Sequence, residues 1–85
     1  MIKQFSDNAW NDYMWMLAND QRSFKRINKL IKVISRTPFE GIGKPEALHG
    51  NLSGFWSRRI NEKDRLVYAV NATTISIAAC RGHYG

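Results

Sequence analysis

Residues 51–70 read NLSGFWSRRINEKDRLVYAV, and this stretch predicts a β-hairpin. Strand-forming residues fill both arms: Phe55, Trp56 and Ile60 in the first, then Leu66, Val67, Tyr68 and Val70 in the second. Residues 61–64, NEKD, form a polar cluster suited to the turn between them. Arg58, Arg59 and Arg65 flank this turn, so three guanidinium groups gather at one end of a small sheet. Each is a forked, permanently charged donor that matches phosphate geometry.

The register of this hairpin decides which arginines share a face of the sheet. A three-residue turn over residues 61–63 would place Arg59 directly opposite Arg65. A four-residue turn would instead place Ile60 opposite Arg65, because a one-residue slip changes the partner of every side chain. The sequence leaves both registers open.

Composition bounds the class of protein. The 85 residues are enough for one domain, residues 1–85, and the 44% hydrophobic and 24% charged residues are typical of a globular chain. Cys80 is the only cysteine, so an internal disulfide is impossible. The sequence shows no apolar run of membrane-spanning length and no signal peptide, which predicts a cytoplasmic protein without a membrane partner. A net charge of +6 favours polyanionic partners, either nucleic acid or an acidic protein segment.

Two helices are predicted before the hairpin, after a short strand at residues 2–5. The first, residues 6–18, begins at the N-cap candidate Ser6. Its apolar stripe is expected in the core and consists of Trp10, Tyr13, Met14 and Leu17. Two residues off the stripe, Trp15 and Met16, are candidates for a subunit contact.

The second helix is expected from the capping residue Asp20 to about Ser35. Its apolar face holds Phe24, Ile27, Leu30, Ile31 and Ile34. The opposite side, named the basic helix face here, carries Arg22, Lys25, Arg26, Lys29, Lys32 and Arg36. No acidic residue occurs between Asp20 and Glu40. Like charges on one helix face repel each other, so a nucleic-acid or acidic partner is favoured over a merely solvated surface.

The order of elements predicts the fold. Residues 39–50 contain glycines and a proline, which indicates a loop or edge segment, and a last strand follows at residues 75–80. One strand, two helices and three strands predict an α+β fold: two N-terminal helices packed on one face of a mostly antiparallel, roughly four-stranded sheet. The other face of the sheet is expected to be concave and basic.

The chemistry-bearing residues cluster in the second half of the chain. They are Lys44, Glu46, His49, Arg58, Arg59, Arg65, Arg81, His83 and Tyr84. No metal-ligand spacing and no Ser-His-Asp arrangement stand out among them. A carboxylate, imidazoles and fixed cations are what RNA cleavage without a metal or cofactor needs: a base for the 2′-hydroxyl, cations for the phosphoryl oxygens and an acid for the leaving oxygen. DNA lacks the 2′-hydroxyl, so this chemistry selects RNA.

Four segments carry a family resemblance. The segments RTPFEGIGKPEAL, NLSGFWSRRIN, RLVYAV and AACRGHY closely resemble the YoeB family, ribosome-dependent messenger-RNA-cleaving toxins of type II toxin–antitoxin systems in the RelE/ParE superfamily. The resemblance extends from Trp10 to Tyr84. It implies a compact, microbial-ribonuclease-like α+β domain that cleaves messenger RNA in the ribosomal A site. It also implies a homodimer, and a YefM-like antitoxin whose acidic C-terminal segment covers the active face.

The resemblance assigns roles to individual residues. It implies Glu46 as general base, His83 as general acid and Arg65 as the cation of the transition state. It further implies substrate or phosphate contacts by Arg59, Tyr84, Lys44 in the Gly-Lys-Pro-Glu run, and His49, where relatives often carry lysine. The basic helix face is then expected to bind ribosomal RNA. Gly85 is a departure, because relatives commonly end at the His-Tyr pair.

Two functions of other classes remain open. ParE-like members share the fold, act on DNA gyrase without cleaving RNA, and lack the base and acid. A simple basic nucleic-acid-binding module would need no carboxylate in its groove, where a negative charge weakens phosphate binding. Retention of Glu46, Arg65 and His83 together disfavours both.

Overall fold

The structure is a computed structural model that describes residues 1–82, so the predicted acid His83 and the aromatic residue Tyr84 lie outside the described residues. Its elements in chain order are β1 (Ile2–Phe5), α1 (Asp7–Asn19), α2 (Gln21–Ile34), β2 (Glu46–Ala47), a short 3-10 helix (Gly50–Leu52), β3 (Trp56–Arg59), β4 (Arg65–Val70) and β5 (Thr74–Ala79). No helix within the described residues is both long and apolar enough to cross a bilayer.

The strands form one sheet in the order β1-β5-β4-β3-β2. Neighbours are antiparallel except for β1 and β5, which are parallel. The α+β prediction is confirmed, with five strands rather than four. The additional strand is β2, two residues at the edge of the sheet, within the segment expected to be a loop or edge. A two-residue strand is too short to produce a periodic sequence pattern.

The hairpin takes the register of a three-residue turn. Arg59 lies directly opposite Arg65, and the amide of Ile60 donates to the carbonyl of Asp64 at 3.0 Å. The side-chain oxygen of Asn61 accepts from the amides of Lys63 and Asp64 at 2.9 and 2.8 Å. This Asx turn closes the hairpin over residues 61–63. The alternative register, with Ile60 opposite Arg65, is wrong.

The sheet buries one face against the helices. Leu66 and Tyr68 on β4 point toward the helices, as do Ile75 and Ile77 on β5. Alternate residues point to the other side, which we name the open face. A bulge interrupts the β4–β5 pairing, since Tyr68 pairs with Ile77 while the preceding Val67 pairs with Ala79.

The first helix packs on a different side from the one expected. Ala9 and Met16 are fully buried, whereas Trp10 and Leu17 are 48% and 40% exposed. Just past the end of β5, the Cys80 thiol donates to the carbonyl of Ala9 at 3.4 Å, and the side of α1 that carries Ala9 and Met16 packs into the core there. The predicted core role of Trp10 and Leu17 is therefore wrong, and so is the suggested subunit contact through Met16.

The second helix agrees with its sequence pattern. Asp20 caps it by accepting from the amide of Ser23 at 3.1 Å, and this hydrogen bond lowers the pKa of the Asp20 carboxyl. Ile27, Leu30 and Ile34 are fully buried. The basic helix face is exposed apart from the half-buried Arg26. Because the apolar side of α2 faces the sheet, the basic helix face lies on the opposite side of the sheet from the open face.

Cys80 directly follows β5, which ends one residue earlier than the strand expected at residues 75–80, and its thiol is buried. Burial is the main reason that the pKa of its thiol rises to about 12, and the carboxylates of Asp12 and Asp64 raise it further. The thiol is therefore protonated at neutral pH.

Arg58 is a structural residue, which corrects its place among the chemistry-bearing residues. Its side chain is 0% exposed and points toward the helices. Its Nε donates to the Tyr68 hydroxyl at 3.0 Å, and its two Nη atoms donate to the carbonyls of Thr37, Glu40 and Ile42 at 2.6, 2.9 and 3.0 Å. The Tyr68 hydroxyl in turn donates to a neighbouring carbonyl, that of Pro38, at 2.7 Å. Burial raises the pKa of Tyr68, and the hydrogen bond from Arg58 opposes that rise.

We expect Arg58→Lys to lower the free energy of unfolding by about 3 kcal/mol, because one ammonium group reaches fewer of these spread acceptors and leaves the others buried and unpaired. Arg59→Lys, one residue along on the exposed side of the strand, should change it by less than about 0.5 kcal/mol. Urea denaturation of both variants measures the difference. Equal effects of the two substitutions would contradict the structural role of Arg58.

Candidate functional site

The open face brings together three of the predicted site residues. Glu46 on β2 lies opposite Ser57 on β3, and Arg59 on β3 lies opposite Arg65 on β4. Ser57 and Arg59 are two residues apart, so all these side chains point to the same face. Directly opposed residues have Cβ atoms about 5 Å apart, and diagonal neighbours such as Glu46 and Arg59 about 7–8 Å. The hairpin register thus places the two arginines beside each other and the carboxylate diagonal to them.

The dimensions of this site suit one phosphodiester and its ribose. The outer strands that carry Glu46 and Arg65 are two strand spacings apart, about 10 Å. Ser57 and Val67 form the floor between them and are 2% and 1% exposed. Glu46 and Arg59 are exposed and Arg65 is half-buried. Two fixed cations can therefore hold phosphate oxygens while a carboxylate reaches an adjacent hydroxyl.

The segment that leads into Glu46 is pressed against β3. The Arg59 amide donates to the carbonyl of Gly43 at 2.7 Å. Gly43 has φ +86°, and a Cβ there would meet Leu30 at 3.0 Å and the Arg59 carbonyl at 3.3 Å. Only glycine fits this contact without displacing its neighbours.

Lys44 follows in a strained conformation. Its φ of 51° is in the left-handed region, which costs a non-glycine residue about 1–2 kcal/mol. Lys44 is exposed and directly follows Gly43, whose carbonyl accepts a hydrogen bond from the Arg59 amide. Backbone strain of this kind is often found at ligand-binding positions. The backbone of Lys44 thus lies next to that of Arg59, shortly before the start of β2.

Arg58 supports this segment from the buried side of the sheet. Its hydrogen bonds to the carbonyls of residues 37, 40 and 42 hold the chain that leads to Gly43 and Glu46. This positioning role was not among the predictions from the sequence. The alternation of Trp56, Arg58 and Ile60 carries the signal, because in the three-residue-turn register these side chains share the apolar face.

His49 is the predicted substrate-binding residue that the structure does not bring to the arginine pair. It is exposed and precedes the short 3-10 helix. Along the antiparallel β2–β3 pair, His49 lies three positions beyond Glu46 in the direction away from Arg59. His49 therefore lies beyond the end of β2, on the side away from Arg59.

The chain leading to His83 passes beside Arg65. The Arg65 amide donates to the carbonyl of Gly82 at 2.8 Å, and the Gly82 amide donates to the carboxylate of Asp64 at 2.8 Å. The side chain of Asp64 is 5% exposed. The sequence predicted Asp64 only as part of the turn, because no local pattern indicates a contact 18 residues along the chain.

Surface grooves run along the basic helix face. Lys29, Lys32 and Arg36 line two of them, one of about 360 Å³ with Val33 and Thr37 and one of about 750 Å³ that extends to β1 and α1. Arg22 and Arg26 line another, of about 720 Å³, which is shared with the hairpin turn. Within residues 1–82, no three His, Cys, Asp or Glu side chains come together in a way that could hold a metal ion.

Comparisons with known proteins agree on one family. The model of the YoeB-like toxins of bacterial type II toxin–antitoxin systems matches residues 5–84. The toxin YoeB of Escherichia coli K12 is 59% identical over 80 residues, which are 94% of this chain and 95% of the relative. A YoeB dimer from Staphylococcus aureus has a TM-score of 0.94 at 48% identity and covers 99% of this chain and 98% of its own. A heterotetrameric YoeB–YefM complex from the same organism has a TM-score of 0.91 at 48% identity, with the same coverage.

Proposed function

The chain belongs to the YoeB-like toxins of bacterial type II toxin–antitoxin systems, and from that premise we propose that it is an endoribonuclease that cleaves messenger RNA in the ribosomal A site. Cleavage there would stop translation in the cytoplasm, where the ribosomes are. The proposed mechanism needs no cofactor or metal, because side chains supply the base, the acid and the stabilising charges.

One observation carries the proposal: Glu46, Arg59 and Arg65 share the open face in the arrangement that phosphoryl transfer needs. A carboxylate in a groove that served only to bind nucleic acid would weaken phosphate binding. A carboxylate beside two phosphate-binding cations is instead what a general base requires. This favours a ribonuclease over a simple basic binding module.

The proposed reaction is an in-line displacement at phosphorus. The Glu46 carboxylate takes the proton of the 2′-hydroxyl, and the 2′-oxygen forms a bond to the adjacent phosphorus. The bond from phosphorus to the 5′-oxygen breaks, and His83 gives that oxygen a proton. Arg65 and Arg59 stabilise the charge that builds on the phosphoryl oxygens. The products are a 2′,3′-cyclic phosphate on the upstream fragment and a 5′-hydroxyl on the downstream fragment.

The partners follow from the relatives and from the charge. The S. aureus relatives form a dimer and a complex with YefM, which supports a homodimer and a YefM-like antitoxin for this chain. The antitoxin's acidic segment would bind the open face, where Arg59, Arg65 and Lys44 offer complementary charge. Ribosomal RNA is the proposed partner of the basic helix face.

Ribosomes programmed with a defined messenger provide the test of the activity. Wild-type protein should produce position-specific cuts in the A-site codon, mapped by primer extension, and should leave the same messenger without ribosomes largely intact. Glu46→Gln should slow single-turnover cleavage by about 10²–10⁴-fold, because it removes the base. Glu62→Gln, at an exposed position in the hairpin turn, is the matched control and should cleave normally.

Translation arrest without any messenger cut would refute the ribonuclease and favour a non-catalytic toxin. Normal cleavage by Glu46→Gln would leave the ribonuclease standing and remove Glu46 as its base.

Salt dependence tests the proposed ribosomal contact of the basic helix face. Removing one phosphate contact should reduce the slope of log affinity against log salt by about one. We therefore expect the affinity of Lys29→Gln for ribosomes to depend less steeply on salt concentration. The rate of messenger cleavage by the ribosome-bound variant should be unchanged. An unchanged slope in Lys29→Gln would show that this lysine makes no phosphate contact on the ribosome.

A further inference from the structure

The three residues before His83 are each held by the body of the protein. The Cys80 amide donates to the carboxylate of Asp12 at 3.1 Å. The Arg81 guanidinium lies over the Trp15 ring, 3.5 Å from its centroid. Both polar backbone groups of Gly82 are hydrogen-bonded, as described above. A segment so close to a chain terminus is usually mobile unless contacts of this kind hold it.

Asp64 makes the last of these contacts from a fixed position. One carboxylate oxygen accepts from the Gly82 amide at 2.8 Å, and the other accepts from Asn61 Nδ2 at 2.9 Å. Asn61 Nδ2 also donates to the Ser23 hydroxyl on α2 at 2.8 Å. Asp64 therefore links Gly82 to both the hairpin turn and a helix.

The hairpin turn does not itself need this carboxylate. The connection between β4 and β5 is the same kind of turn, in which the Asn71 side-chain oxygen accepts from the amides of Thr73 and Thr74, both at 2.9 Å. Thr74 there occupies the position that corresponds to Asp64. This kind of turn therefore forms without an acidic residue at this position. The Asp64 carboxylate instead accepts hydrogen bonds from Gly82 and Asn61.

We propose that Asp64 is a positioning residue that sets the location of His83 by fixing Gly82, an inference that depends on the proposed ribonuclease and on His83 as its acid. Gly82 directly precedes His83 in the sequence, so the contact from Asp64 is made one peptide unit from the proposed acid. A displacement of about 1 Å in a catalytic group can cost about 10²-fold in rate. Asp64 acts through Gly82 and needs no contact with the substrate.

Asp64→Thr tests this role, because it installs the residue that the protein's own second turn carries. Single-turnover cleavage of messenger in the A site should fall by about 10²-fold, as for loss of positioning. A messenger with sulfur in place of the leaving 5′-oxygen needs little proton donation, so it should restore most of the rate to Asp64→Thr and to His83→Gln. Asn71→Ala, which breaks the second turn, is the control and should cleave both messengers at the wild-type rate.

Hydrogen exchange of the Gly82 amide provides a readout that does not depend on activity. It should be faster in Asp64→Thr and unchanged in Asn71→Ala. An equal loss of rate with both messengers, or unchanged Gly82 exchange, would overturn the proposal. If the sulfur messenger does not restore the rate of His83→Gln, then His83 is not the acid, and the proposal about Asp64 is wrong as well. Faster exchange of the Gly82 amide in Asp64→Thr would in that case show that Asp64 does fix Gly82 and that the error lies in the catalytic assignment.

Discussion

The pairing of Arg59 with Arg65 across β3 and β4 is the constraint on which the rest of the site depends. Side chains alternate between the faces of a strand, so this register turns Arg59 toward the open face and Arg58 toward the helices. A slip of one residue would bury Arg59 and expose Arg58. The Asn61 turn fixes the register through its two hydrogen bonds to main-chain amides.

Adjacent arginines therefore have different tasks because they lie on opposite faces of the sheet. Arg58 gives its donors to carbonyls of residues 37–42 and to Tyr68, and so holds the chain that enters β2. Arg59 fixes the end of that chain with its backbone amide, which donates to the carbonyl of Gly43, and its side chain is exposed on the open face. The location of Glu46 thus depends on the buried arginine, and the proposed binding of phosphate depends on the exposed one.

The sequence predicted those features that arise from local periodicity. The apolar face of α2, the hairpin and the order of elements follow from the spacing of apolar residues and from turn chemistry. The packing side of α1 did not, because it is set by contacts between residues far apart in the chain, such as the hydrogen bond from the Cys80 thiol to the Ala9 carbonyl, and no local pattern reports them. Strand β2 was hidden by its length of two residues.

The candidate site was partly readable. The family resemblance identified Glu46, Arg59 and Arg65 as candidate site residues. Whether their side chains share one face of the sheet depends on the hairpin register, which the sequence left open. Alternation along β3 indicates that Arg58 points to the apolar face, but the distant partners of Arg58 and Asp64 could not be read from the sequence. They lie 16–21 residues away and are backbone groups that carry no residue identity.

The central claim is that the open face directs a 2′-hydroxyl onto its own phosphate, and a single change in the substrate tests it most directly. A messenger with one 2′-deoxynucleotide on the upstream side of the scissile bond lacks only the attacking group. On programmed ribosomes we predict no cleavage at that bond, and a 2′,3′-cyclic phosphate at the upstream end of the unmodified messenger. Cleavage of the deoxy messenger at the same bond would contradict the account, because the nucleophile would then have to come from elsewhere.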